Sequence, residues 1–261
     1  MMNTLLTEVL QSRMDTLANG VKPIKVFSYA YHPYFVLTDL GRLVSLGIAF
    51  WYLRDSSSLP FFTFLGVFGA VFVVYKVVRD RVKVWFGTAS RSFLQDTILI
   101  ILPTYYAIIR WVVRADLAEA FDLVALIVPF YLFFSRLGCF VSGCCYGLPS
   151  PFGVWYSADH FRDVHGCRQF KAAHPPRDRV LPTQLIEALF SFLIGLFILY
   201  LHIQQKLVPG TSLCVYFLFY CPLRFGLDFF RVSSARPRYG RFSEAQLFCM
   251  AIFILALFIV W

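Results

Sequence analysis

The chain has 261 residues, of which 59% are hydrophobic, 19% aromatic and only 15% charged, and its mean hydropathy is +0.66. Soluble domains are nearer half apolar and a quarter charged, so this composition excludes an ordinary soluble globule and points to an integral membrane protein. The formal net charge of +9 does not read as nucleic-acid binding, because no basic stripe is interleaved with a soluble fold; in a membrane protein it reflects topology and anionic headgroups.

Residues 1–21 are polar and mixed in charge, with Glu8, Arg13 and Asp15. They lack a short apolar core followed by a small-residue cleavage site, so no removable signal peptide is expected. A membrane-crossing helix needs roughly 20 mainly apolar residues. Seven stretches qualify: 34–53, 59–78, 92–113, 121–140, 183–203, 209–230 and 243–261. Short links join most of them, which predicts an all-α polytopic membrane protein whose single transmembrane bundle takes in residues 1–261. The exception is 146–182, a polar loop carrying His160, His165, His174, Arg162, Arg168, Arg177 and Arg179, expected to form a small cap over one end. Lys and Arg crowd the N-terminal segment, the cap, and the links after the second and sixth spans. Only Arg54, Arg110, Arg114 and Lys206 fall on the other side. Taken alone, the positive-inside rule then puts the N-terminus and the cap in the cytoplasm.

The chemistry gathers where the fourth span ends, at Ser135-Arg136-Leu137-Gly138-Cys139-Phe140-Val141-Ser142-Gly143-Cys144-Cys145-Tyr146-Gly147. Arginine beside a hydrocarbon layer is costly unless it pairs, snorkels or lines a wet cavity. The alternative to a site is a snorkelling interface arginine, but the glycines at 138, 143 and 147 are more than an anchor requires. They let backbone pass close to a ligand and leave amides for an anion, which suggests a lipid-phosphate pocket.

Pro182-Thr183-Gln184-Leu185-Ile186-Glu187 opens the fifth span, with Gln184 and Glu187 on one helical face. A carboxylate one turn inside an apolar helix calls for a partner such as an arginine, or else faces headgroups. In the sixth span, Arg224, Asp228 and Arg231 share a face by their spacing. Asp228 can bond both guanidinium groups and leave a net positive pair suited to a phosphodiester; a structural ion pair is the other reading. Ser243-Glu244-Ala245-Gln246 opens the last span with a hydroxyl cap.

Seven cysteines, an odd number, lie mostly in or beside apolar stretches, which is unlike a secreted disulfide framework. Cys214, Cys221 and Cys249 read as small buried hydrophobes. The spacing Cys139-x4-Cys144-Cys145 is not a standard zinc pair and nothing completes one, so no metal is expected. Thiol activation by arginine leaves redox or acyl-cysteine chemistry open.

These residues resemble the prolipoprotein diacylglyceryl transferase family. Arg136-x-Gly138-Cys139-Phe140, with Cys144 and Gly147, is similar to its signature Gly-Arg-x-Gly-Asn/Cys-Phe-x-x-Gly-x-x-x-Gly. Pro182 to Glu187 looks like its Pro-Ser/Thr-Gln-Leu-Tyr-Glu. Arg224-Phe225-x2-Asp228-Phe229-Phe230-Arg231 looks like its Arg-Phe-x2-Glu-Phe-Phe-Arg, and Ser243-x2-Gln246 resembles its final Ser-x-Gly-Gln. The similarity runs in order through residues 122–246.

The resemblance implies seven spans in the plasma (bacterial inner) membrane and no cofactor. It implies transfer of diacylglyceryl from phosphatidylglycerol, or use of another anionic phospholipid, to the lipobox cysteine thiol of a preprolipoprotein, with glycerol phosphate released. It assigns Arg136, Arg224 and Glu187 as catalytic, the two arginines converging on the headgroup phosphate. Gly138, Cys139, Gly143, Gly147, Gln184, Asp228, Arg231, Ser243 and Gln246 are assigned to substrate binding. The active face would point outward, opposite to the charge count.

The chain departs from the pattern at Ser135, Cys139 and Cys144, and Leu40 replaces a tyrosine near Gly41. In Ser92-Phe93-Leu94-Gln95-Asp96, Leu94 stands where the family has a histidine. Leucine cannot accept a thiol proton, which leaves His32, Asp96, Glu187 or a cap histidine as replacement bases. The other readings are a divergent paralogue that binds anionic phospholipid as a sensor or transport component or modifies a different acceptor, and a structural membrane subunit. The latter would require four ordered motifs to be coincidence.

Overall fold

Residues 2–22, 24–26, 29–86, 100–165, 176, 178–231 and 238–260 are described in the computed structural model. They form a helical protein. Five helices are long and apolar enough to cross a membrane: α2 (Pro33–Leu53), the Phe61–Arg79 part of α3 (Phe61–Phe86), α5 (Leu117–Val141), α7 (Thr183–Ile203) and α8 (Ser212–Phe229). They correspond to the first, second, fourth, fifth and sixth expected spans. The seventh is the apolar helix α9 (Glu244–Val260), whose 17 residues reach about 26 Å, somewhat short of the roughly 30 Å hydrocarbon layer. Of the third, residues 92–99 lie outside the described residues; the remainder includes α4 (Leu102–Ala107) and a π-helical stretch, Ile108–Val113. Large apolar side chains such as Phe62, Phe72, Leu189, Leu193, Leu255 and Phe258 are exposed, as suits helices solvated by lipid rather than water.

The chain divides into two compact units. Unit 1 comprises Met1–Val44, Pro129–Leu193 and Phe229–Val232. Its polar N-terminal helix α1 (Met2–Gly20) docks onto the cap loop, which contains a strand (Pro149–Val154) and α6 (Ala158–His165). Asn19 and Asp15 bond the backbone of Trp155 and Ser157 at 2.8–2.9 Å, and Arg179 clamps Asp15 at 2.7 Å. The apolar side of this layer is Ala18, Phe140, Val154, Tyr156, Phe161 and Val180. Gly41 and Gly138 bring α2 and α5 together. A Cβ on Gly41 would sit 2.8 Å from Phe134 Cβ, and one on Gly138 3.1 Å from Tyr34, the close approach that small residues permit between membrane helices.

Unit 2 comprises Ser45–Val128, Ile194–Asp228 and Ser233–Trp261. Its core joins Ala49 and Leu53 of α2 to Phe64 and Val67 of α3, to Tyr105 and Ile109, and to Leu123 of α5. One carboxylate is buried beside this core. Asp122 is 4% exposed and accepts hydrogen bonds from the amides of Gly210 (2.8 Å) and Ser212 (3.1 Å) at the start of α8. A negative charge at a helix N-terminus is doubly favoured there, by satisfied donors and by the helix dipole. Asp122→Ala is therefore expected to cost about 1–2 kcal/mol of stability, seen as a lower Tm in detergent. An unchanged Tm would show that other groups satisfy those amides.

Candidate active site

The candidate site residues form two polar clusters, one within unit 1 and one within unit 2. In unit 1 the centre is Glu187, one turn into α7 and fully buried. Its Oε2 forms an ion pair with Arg136, 2.9 Å from Nε, and accepts a hydrogen bond from Arg231 Nη2. Arg136 comes from the last turns of α5, and Arg231 follows α8. The backbone of Arg231 is fixed by a bridge to Gly147, and the neighbouring Leu148 amide bonds Phe230 O at 2.8 Å. One carboxylate facing two guanidiniums leaves the cluster with a net positive charge. Glu187 and Arg231 are sealed at 0% and 4% side-chain exposure, whereas Arg136 retains 17%. Arg136 is thus the most exposed member of this cluster.

The signature loop wraps beside this cluster. Helix α5 ends with the Cys144 amide turning back to Cys139 O at 3.1 Å. The turn needs positive φ at Gly143 (63°) and also at Cys145 (60°). The left-handed region is strained for a residue with a Cβ, by about 1–3 kcal/mol, so the surroundings must hold Cys145 in place. They do so through Thr183 Oγ1, which donates to Cys145 O at 3.1 Å, and Gln184 Nε2, which donates to Cys144 O at 2.7 Å. Thr183 and Gln184 are both fully buried.

The result is a convergence of three thiols. The sulfurs of Cys139, Cys144 and Cys145 all lie within 4.8 Å of one another. Hydrogen bonds from Cys139 and Cys144, reinforced by the Arg136 and Arg231 guanidiniums, hold the Cys145 thiol well below its ordinary pKa. Hydrogen bonding to Cys139 and Cys145 holds that of Cys144 well above.

The signature glycines are occupied by protein contacts. A Cβ on Gly147 would meet Phe230 O at 2.6 Å and Thr183 Cγ2 at 2.8 Å, and one on Gly143 would meet Phe161 at 2.8 Å. Their amides, expected to serve an anion, bond Leu181 O (2.8 Å) and Phe140 O (3.1 Å) instead. The glycines shape the loop, and the positive charge comes from side chains.

In unit 2, Arg224 pairs with Asp228 one turn later at 3.0 Å, both nearly buried. Asp228 also accepts from the Ser243 hydroxyl. Ser243 and Gln246 form a reciprocal capping box at the start of α9: the Ser243 amide donates to Gln246 Oε1 (2.8 Å), and the Gln246 amide to Ser243 Oγ (3.2 Å). Gln246 Nε2 then bonds Phe225 O at 3.1 Å. The third motif's two arginines therefore have different carboxylate partners among the recorded ion pairs, Arg224 with Asp228 and Arg231 with Glu187.

A family model described as prolipoprotein diacylglyceryl transferase matches residues 97–261, which include every site residue above. The chain belongs to the prolipoprotein diacylglyceryl transferase family. It is 27% identical over 146 residues to the phosphatidylglycerol–prolipoprotein diacylglyceryl transferase of Clostridium tetani, covering 55% of this chain and 53% of that protein. With the second such protein of Clostridium perfringens it shares 31% identity over 139 residues, 51% of this chain and 48% of the relative. With the Acinetobacter baylyi protein the similarity, at 27% identity, extends over 95% of this chain and 92% of the relative. The chain spans about half the length of the Clostridium relatives it matches. As a family member it is an integral protein of the plasma membrane, with lipoprotein biosynthesis as the family's process.

Of the proposed substitute bases, His32 is buried at the start of α2, where its Nδ1 accepts the Tyr34 amide at 3.1 Å. His160 Nε2 bonds Val141 O at 2.9 Å. Leu94, Asp96, Cys167 and His174 lie outside the described residues, as does the side chain of His165. Sequence reasoning missed two supports of the site. Thr183 lies inside the Pro182–Glu187 motif, so its position was marked by the sequence. Tyr156, which donates to Phe140 O at 2.9 Å, carried no local signal at all.

Glu187→Ala strands two guanidiniums in a buried place and is expected to destabilise unit 1 by about 3–5 kcal/mol, while Glu187→Gln, keeping the shape, should cost less. Thermal unfolding of both variants checks this; equal and small losses would rule the clamp out. Because the Cys145 pKa is depressed, its thiolate persists as pH falls below the ordinary thiol range. Maleimide or iodoacetamide should therefore modify Cys145 at mildly acidic pH, with the rate falling only once the depressed value is passed. Peptide mapping against Cys145→Ser reads this, and a rate that tracks a free cysteine would refute it.

Proposed function

We propose that the protein transfers the diacylglyceryl group of phosphatidylglycerol to a cysteine thiol of a prolipoprotein. The observation that carries this reading is the net-positive Glu187 clamp with Arg136 as its one partly exposed arm. The printed names of the relatives support the same chemistry. In the reaction the acceptor sulfur forms a bond to the glyceryl carbon, the bond from that carbon to the phosphate oxygen breaks, and the thiol proton ends on the released glycerol phosphate. Charge accumulates on the departing glycerol phosphate, so a guanidinium fixed beside it stabilises the transition state more than the ground state.

Each residue then has a defined task. Arg136 contacts the headgroup phosphate. Glu187 sets the guanidinium plane and, with both recorded arginines on one oxygen, acts as a positioning residue. Arg231 balances that carboxylate. Gln184 and Thr183 fix the loop carrying Cys139, Gly143 and Gly147. Arg224 is the second catalytic arginine, held by Asp228, which Ser243 and Gln246 orient.

Leu94 favours a second reading, a family member that holds an anionic phospholipid without transferring from it. Transfer from labelled phosphatidylglycerol to a lipobox peptide, by the purified protein in nanodiscs, separates the two. Arg136→Ala and Arg224→Ala should each lower turnover by about a hundredfold or more with folding retained. The protein should also rescue a strain depleted of its own diacylglyceryl transferase. Co-purified phosphatidylglycerol with neither transfer nor rescue would overturn the enzymatic reading and leave the binding one.

A further inference from the structure

We propose that Cys139, Cys144 and Cys145 form a three-thiolate site for a soft monovalent metal ion, the cuprous ion being the one that fits the donor set. Chain spacing gave no hint of this, because consecutive cysteines do not resemble a zinc pair. Folding brings them together: all three sulfurs lie within 4.8 Å of one another. A metal bonded to three sulfurs at about 2.3 Å in a trigonal plane requires sulfurs about 4 Å apart, which falls inside that span.

The site is built in advance of any ion. Cys139 is fixed in the last turn of α5 and buried. Cys144 and Cys145 are turned back toward it by two successive devices. The Cys144 amide bonds Cys139 O, and Cys145 adopts a left-handed backbone that a side chain rarely takes. Gln184 and Thr183 grip the carbonyls of both residues from α7, the kind of outer support that orients metal ligands. Among the described residues only thiols converge here, with no imidazole or carboxylate in the group. An all-sulfur set excludes magnesium, calcium and manganese and selects the thiophilic ions. Zinc in structural sites takes four ligands, so the three sulfurs gathered among the described residues suit the cuprous ion better.

Cys145 is exposed and Cys144 partly so, which gives an ion a route in. The assignment is independent of the transferase reading, since it concerns the thiols and not the phosphate ligands.

The test uses the reduced, full-length protein in detergent under anaerobic conditions. Cuprous ion is titrated against a chromogenic cuprous chelator, and X-ray absorption counts the copper–sulfur contacts. The expected result is one copper ion retained per chain with three sulfur neighbours. Cys144→Ser and Cys145→Ser, both at accessible positions, should each weaken retention tenfold or more. Cys214→Ser, in unit 2, should leave it unchanged. Failure to compete with the chelator would overturn the proposal, as would equal retention by the two serine variants. One zinc ion bound in place of copper in parallel titrations would overturn the cuprous assignment.

Discussion

A single buried carboxylate organises unit 1. Glu187 is fully enclosed, one turn inside an apolar helix, and removing such a charge from water costs several kcal/mol unless paired charges and hydrogen bonds repay it. Arg136 and Arg231 provide that pairing. Each is delivered by a different segment, so satisfying one charge ties α5, α7 and the stretch after α8 to a common point. The Gly147–Arg231 backbone bridge draws the signature loop to the same place. Without the arginines the carboxylate would be too expensive to bury, and without the carboxylate the arginines would repel.

The same economy recurs in unit 2 with other parts. Asp228 forms an ion pair with Arg224 and accepts from Ser243, which is at once an N-cap and a donor to that carboxylate. Gln246 closes the capping box and reaches back to α8. Asp122 uses helix amides for its partners. Each of these buried carboxylates is thus paired within reach of its own backbone or a neighbouring element. Arg136 is set apart from this pattern by its residual exposure.

Much of this was legible in the chain. Composition alone specified lipid-solvated helices, because apolar stretches of about 20 residues have few other stable solutions. The four motifs marked the polar residues that an apolar protein retains for a purpose, and an arginine or glutamate within a span is conspicuous by its cost. Even the need of Glu187 for an arginine could be anticipated on that ground. The last apolar stretch forms the 17-residue helix α9, trimmed at its start by the capping box and shorter than the five helices long enough to cross a membrane.

Other features depended on which surfaces meet. Spacing along α8 put Arg224, Asp228 and Arg231 on one face, but α8 ends at Phe229, so Arg231 leaves the helical register and pairs with Glu187 of α7. Glycine at 143 and 147 signalled close approach without saying of what, and the answer is Phe161, Phe230 and Thr183. The three thiols are unremarkable by spacing and become a group only because two left-handed residues reverse the loop. Sequence determines what each residue costs to bury and which local conformations it tolerates. Tertiary structure decides which partner meets that cost, because pairing requires side chains from distant segments to arrive within about 3 Å of each other.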